Sequence, residues 1–227
     1  MSEGNTMGNR SAVAGRRAWM LGLLAVLPGC SALQSRPYVE PLRFPLSPER
    51  PAETAALRPA AARGQLGTQT LLLRLGRAAP GLEGRMLRSI RADGTVHTEY
   101  YAEWSAPPAE AMEDALRRWL MRSGLFRAVL APGTRAAADL ALEVELTALH
   151  ADLGRGEARA ALSAVLLREG AGESSVVGQF TCEGHAPLPR EGADTPAPQA
   201  TAEVAALGQA FAALEAQIGA RLGTRSR

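Results

Sequence analysis

The residues with the widest chemical repertoire here are two cysteines, Cys30 and Cys182, and three histidines, His97, His150 and His185. Cys182 and His185 stand three apart, a spacing that can seed a metal site. Zinc needs further clustered ligands, and none accompanies this pair in the sequence. The same two residues suggest a nucleophile and its base. Three positions along a strand, however, put two side chains on opposite faces. Glu143 and Glu145 share one strand face and could imitate a catalytic carboxylate pair; a solvated face or a subunit contact explains them more simply. The chain contains no GxSxG, no Walker loop, no HExxH and no dinucleotide fingerprint. The sequence therefore predicts no catalytic residue, metal site or bound cofactor, and not an enzyme; a periplasmic hydrolase is disfavoured.

The elements around these residues follow from hydrophobic periodicity. Thr70 to Gly76 is an apolar run of strand length. Arg85 to Ala92 and Thr95 to Trp104 flank Asp93-Gly94, a type I′ hairpin signal. Ser105 is placed to cap a helix that runs to about Ser123, with Met112, Ala115, Leu116, Trp119 and Leu120 on its apolar face and Gly124 ending it. Trp104 and Trp119 read as core residues. Leu125 to Leu130 is a short strand. Asp139 to Asp152, Glu157 to Arg168 and Ser174 to His185 alternate as three strands of an antiparallel meander. A Pro-rich loop, 186–199, leads to a last helix, Thr201 to Leu222, with a seam of Val204, Leu207, Phe211, Leu214 and Ile218. The expected class is α+β: a two-layer sandwich of a mostly antiparallel sheet with two helices packed on one face.

Of 227 residues 46% are hydrophobic but only 4% aromatic, so the core must rest on Leu, Val and Ala. All 25 basic residues are Arg, and they alternate with acids along the chain. Without a basic face, nucleic acid is not an expected partner. The net charge is +2; Arg10, Arg16 and Arg17 against Glu3 place that excess in the first 29 residues. There Arg16 and Arg17 precede the apolar run Ala18 to Leu27, which is too short for a permanent span of ~30 Å. This is the pattern of a secretory leader, whose start codon is Met1 or Met7.

Leu27, Pro28, Gly29 and Cys30 resemble the lipobox of bacterial lipoproteins. The resemblance implies cleavage before Cys30, diacylglycerol on its sulfur and an N-acyl chain such as palmitate, and so a membrane anchor. Ser31, where an Asp would favour the inner membrane, implies an outer-membrane lipoprotein facing the periplasm. Cys182 is then a lone thiol, expected to be buried. The expected organisation is a signal peptide over 1–29, a lipidated cysteine and Pro/Ala-rich tether over 30–67, a folded domain over 68–222 and a disordered tail over 223–227. One short strand within Tyr38 to Leu46 could join a sheet edge.

Between Tyr100 and Val129, Trp104-x-x-Pro107 leads into an amphipathic helix that closes with Ser123-Gly124-Leu125-Phe126. This stretch, with the order of strands and helices around it, resembles the ABC-type transport auxiliary lipoprotein family (PqiC-like) over roughly residues 68–222. The resemblance implies a non-enzymatic component that works beside an MCE-domain protein and an ABC permease and ATPase, moving phospholipid between inner and outer membranes. It also admits a homo-oligomeric ring. The competing expectation is an assembly or structural lipoprotein of the envelope, for example one supporting lipopolysaccharide export. Loop 186–199 and the exposed sheet face are the candidate contact surfaces.

Overall fold

Alternating apolar and polar residues build the middle of the sheet. Strands β6 (Leu140–Asp152), β7 (Glu157–Arg168) and β8 (Ser175–Pro187) form the antiparallel meander that the periodicity predicts. Leu140, Leu142, Val144 and Leu146 on β6, with Leu162, Ala164 and Leu166 on β7, are buried. Glu143 and Thr147 lie on the exposed face. The computed structural model describes residues 38–51, 67–75, 78–170 and 172–223. Glu40–Arg227 forms one unit; of the other, Met1–Val39, only Tyr38 and Val39 are described.

The second edge of β6 is shared by two branches. β2 (Thr70–Leu75) runs parallel to its first half, from Leu71 opposite Leu140 to Leu75 opposite Val144, and β5 (Ala128–Leu130) lies outside β2. β3 (Met86–Ile90) meets the far end of β6 at Ser89–Ala151 and Ile90–Asp152. β4 (Val96–Trp104) and then β1 (Leu42–Phe44) continue that branch. The eight-stranded sheet therefore forks at β6.

The sheet is mixed, which corrects the mostly antiparallel sheet expected from the sequence. Among the described residues four of its seven strand pairings are parallel. Hairpins give antiparallel neighbours, whereas a chain that crosses over before re-entering the sheet returns parallel. Helix α1 (Pro108–Ser123) lies in the long connections that separate β2 from β5 and β3 from β6, pairs that meet in parallel. Periodicity identifies each strand, but its partner is set by these long connections.

α1 and α2 (Pro196–Gly223) pack side by side on one face of the sheet. Met112, Ala115, Leu116, Trp119 and Leu120 of α1 are buried as predicted, as are Leu207, Phe211, Leu214 and Ile218 of α2. The rings of Trp119 and Phe211 meet edge to face, with centroids 5.5 Å apart. Gly124 ends α1 in the left-handed conformation, with φ 66°. At Gly184 of β8, a Cβ would collide with the Ala206 carbonyl and the Ala210 nitrogen of α2. Only glycine permits this approach of helix to strand.

Three local expectations are revised. Ser105 does not cap α1: its hydroxyl and its N–H both donate to Phe44 O (3.1 and 2.8 Å), fastening β1 to the end of β4. The helix starts on Pro108 after Pro107 without a side-chain cap, as proline in a first turn allows. The β3–β4 turn is centred on Ala92-Asp93, with Gly94 N–H donating to Arg91 O and Gly94 at φ 83°. That is the longer hairpin loop with a left-handed glycine rather than the type I′ turn. α2 begins at Pro196, five residues before Thr201, because prolines 196 and 198 fit its first turn instead of excluding it.

Candidate functional site

The residues singled out for chemistry are kept apart. Cys182 is buried under α2, where Gln217 Nε2 donates to its Sγ at 3.4 Å, and burial pushes its thiol pKa up. His185 lies on the opposite, exposed face, with Nδ1 3.1 Å from Glu157 Oε1 and Nε2 3.6 Å from Glu183 Oε2. A Cys–His nucleophile pair is thus excluded by strand geometry. His97 sits between Arg91 and Glu99 on β3–β4. Among the described residues no three His, Cys, Asp or Glu side chains cluster as metal ligands. Glu143 shares the outer face with Glu145 but pairs with Arg74 at 3.5 Å. Trp104 and Trp119 belong to the core. Cys30 and the rest of Leu27–Cys30 lie outside the described residues.

What remains is a surface. The sheet face away from the helices carries crossed charge pairs: Arg74 with Glu143 and Glu169, Arg159 with Glu183, and His185 with Glu157. Hydrogen bonding to Arg159 holds the Glu183 carboxyl below its usual range. Exposed pairs of this kind add little stability, but arranged charges do set register and specificity in docking. At the β3–β4 branch, the partner of Met86 is Glu103 and that of Arg88 is Thr98. The extra β4 residues form a bulge that includes Tyr100 and Tyr101, 83% and 61% exposed; Val96 and Met86 of the same hairpin are exposed as well. Exposed tyrosines are favoured contact residues because they bring apolar area with a polar tip. Loop 186–199 narrows to residues 188–195, since β8 reaches Pro187 and α2 starts at Pro196.

The interior holds polar groups that the periodicity did not single out. Arg50 Nε and Nη2 donate to both oxygens of Glu215 on α2, at 2.9 and 2.8 Å, and Trp119 Nε1 donates to the same carboxylate at 2.8 Å. Both charged side chains are buried, at 5% and 7% exposure. With Leu46 also in the core, this ties residues 46–50 into the domain. No local pattern announces a pair 165 residues apart. Glu203 of α2 is fully buried, and burial raises its carboxyl well above the ordinary value, against the opposing Ala151 N–H. A signal for Glu203 did exist, because it stands four residues before Leu207 on the buried stripe.

Residues 51–219 match the family described as the ABC-type transport auxiliary lipoprotein component. No curated protein matches the sequence. Among solved structures, protein XCC0632 from Xanthomonas campestris, assigned to family DUF330, is 22% identical with a TM-score of 0.60, covering 84% of this chain and 96% of its own. That likeness shows the fold. An uncharacterized protein (15% identity, TM-score 0.46, covering 68% and 99%) and hypothetical protein CT253 from Chlamydia trachomatis (9%, 0.41, 69% and 96%) are more distant.

Proposed function

The chain belongs to the family of ABC-type transport auxiliary lipoprotein components, and from that membership we propose that it is the membrane-anchored, non-enzymatic auxiliary of an MCE and ABC-type system moving phospholipid between inner and outer membranes. The observation that carries the reading is the family match over residues 51–219. The structure supports it with a rigid two-layer domain whose outer sheet face is open to a partner. Among the described residues no helix is long and apolar enough to cross a membrane, so attachment falls to the leader and Cys30. Cleavage before Cys30 and acylation of that cysteine anchor the domain on the periplasmic side of a membrane, and Ser31 favours the outer one. The domain then receives a tunnel or shuttle that approaches from the MCE side. Partners are the MCE-domain protein, the permease and the ATPase, and a homo-oligomeric ring is one way to cap a tunnel.

Two measurements test this. Mass spectrometry of the chain from its native host is expected to find a diacylated, N-acylated Cys30 at the amino terminus, with Cys30→Ala left as unprocessed precursor; an unmodified Cys30 in the wild type removes the anchor. Pulse-labelling of phospholipid, in a host lacking its other MCE systems, is expected to show slowed exchange between the membranes when this gene is deleted. Normal exchange with defective lipopolysaccharide export would move the chain to envelope assembly.

A further inference from the structure

The fork in the sheet leaves a gap. Among the described residues no strand pairs with β6 on that side between Val144, the last partner of β2, and Ala151, the first partner of β3. Ala79 N–H reaches Leu146 O, and the connection to β3 then turns away through Pro80 and Gly81. A bulge in β6 between Leu146 and Ala148 falls in the same place. The result is an open cleft of about 290 Å³.

Three basic side chains line this cleft: Arg88, His150 and Arg159. The strand register sets them in a row. His150 pairs directly with Arg159 across β6–β7, and Arg88 stands one position before the Ser89–Ala151 pair. Acids nearby are turned elsewhere. Glu83 accepts the Gly81 N–H at 2.7 Å, and Asp152 accepts the Arg155 N–H at 2.9 Å. Arg159 gives Nε and Nη2 to Glu183, so its Nη1 is outside that pair. The Arg88 side chain makes no hydrogen bond or ion pair among the described residues. Its guanidinium lies against Gly81, where a Cβ would overlap it, and so is held at the rim of the cleft. Pro80, Ile90 and Val96 add an apolar wall. Burial first, then the Arg159 and Arg88 guanidinium groups, outweigh the opposing Asp152 carboxylate and hold His150 below its ordinary pKa.

We propose that this cleft binds a phosphate ester, with Arg88 as the principal ligand and Arg159 Nη1 and His150 as further donors. A guanidinium matches an oxyanion with two parallel N–H bonds. Donors converging from three strands suit a tetrahedral anion better than a planar carboxylate. The apolar wall suits an ester whose other substituent is glyceryl or acyl. The inference rests on the cleft and stands apart from the transport reading.

The test is isothermal titration of the full chain in non-ionic detergent with inorganic phosphate, glycerol 3-phosphate and dihexanoylphosphatidylglycerol. Saturable binding of at least one of these is expected. Arg88→Gln is expected to weaken it by about tenfold, the scale of one charge-assisted contact, with an unchanged melting temperature. Arg168→Gln, on another part of β7, is the control and leaves it unchanged. Binding of the glycerol and inorganic forms at equal strength assigns a soluble phosphate source; binding that requires the acyl chains assigns a lipid headgroup. No binding of any probe, or equal loss in Arg88→Gln and Arg168→Gln, overturns the proposal. If Arg88→Gln melts early, Arg88→Lys replaces it: the charge remains but the fork is lost, and undiminished affinity would then count against the site.

Discussion

Glu203 stands on the buried stripe of α2 where a leucine would ordinarily be. Burial disfavours its ionised form, so the folded protein holds this carboxyl protonated at pH values where the unfolded chain has lost the proton. In that interval the folded state binds more protons, and stability falls as pH rises. The fall starts near the ordinary value of 4.5 and continues toward the raised folded value. Glu203→Gln is therefore expected to be more stable than the wild type at pH 8, with its advantage shrinking to nothing near pH 4. Denaturant titrations at several pH values measure the gap; a gap that does not change with pH would mean that the carboxyl titrates alike in the folded and unfolded states.

Among the elements, the segment around β1 is the one whose place is least evident from its sequence. Its prolines suggest an extended tether, yet Arg50 ends in a buried pair with Glu215 on α2, and Ser105 fastens Phe44. Arg50→Ala removes the guanidinium that neutralises a buried carboxylate, and is expected to destabilise the domain by about 3–5 kcal/mol. Arg50→Met with Glu215→Gln keeps an acceptor for Trp119 and should recover most of that loss. Chemical denaturation of both variants checks this, and equal stability of Arg50→Ala and the wild type would contradict it. The contrast between β1 and the meander shows what a sequence discloses. In β6 and β7 the side chains alternate because one face is dry and the other wet, so local pattern and final position coincide. α1 was legible for the same reason, through the spacing of Met112, Leu116, Trp119 and Leu120. Arg50 with Glu215, the parallel entry of β2 and β3, and the row Arg88–His150–Arg159 depend on pairings between distant segments, which period alone does not encode. The separation of Cys182 from His185 was legible, because it follows from strand geometry.

At the scale of the molecule, a two-layer domain with helices on one face leaves the other face of the sheet for contact. Its paired charges, the exposed Tyr100 and Tyr101, and the fork between β2 and β3 all lie within the branch and meander that surround β6. Family membership makes it an ABC-type transport auxiliary lipoprotein component, and the central claim is that the transport machinery it serves is an MCE system. The direct measurement is mild crosslinking in the native host, affinity purification of the processed chain and identification of what is joined to it. An MCE-domain protein is expected, crosslinked to residues of the outer sheet face such as those near Glu183 or to the exposed Tyr100 and Tyr101. Repeated recovery of lipopolysaccharide-export or peptidoglycan proteins, with no MCE-domain protein, would contradict it.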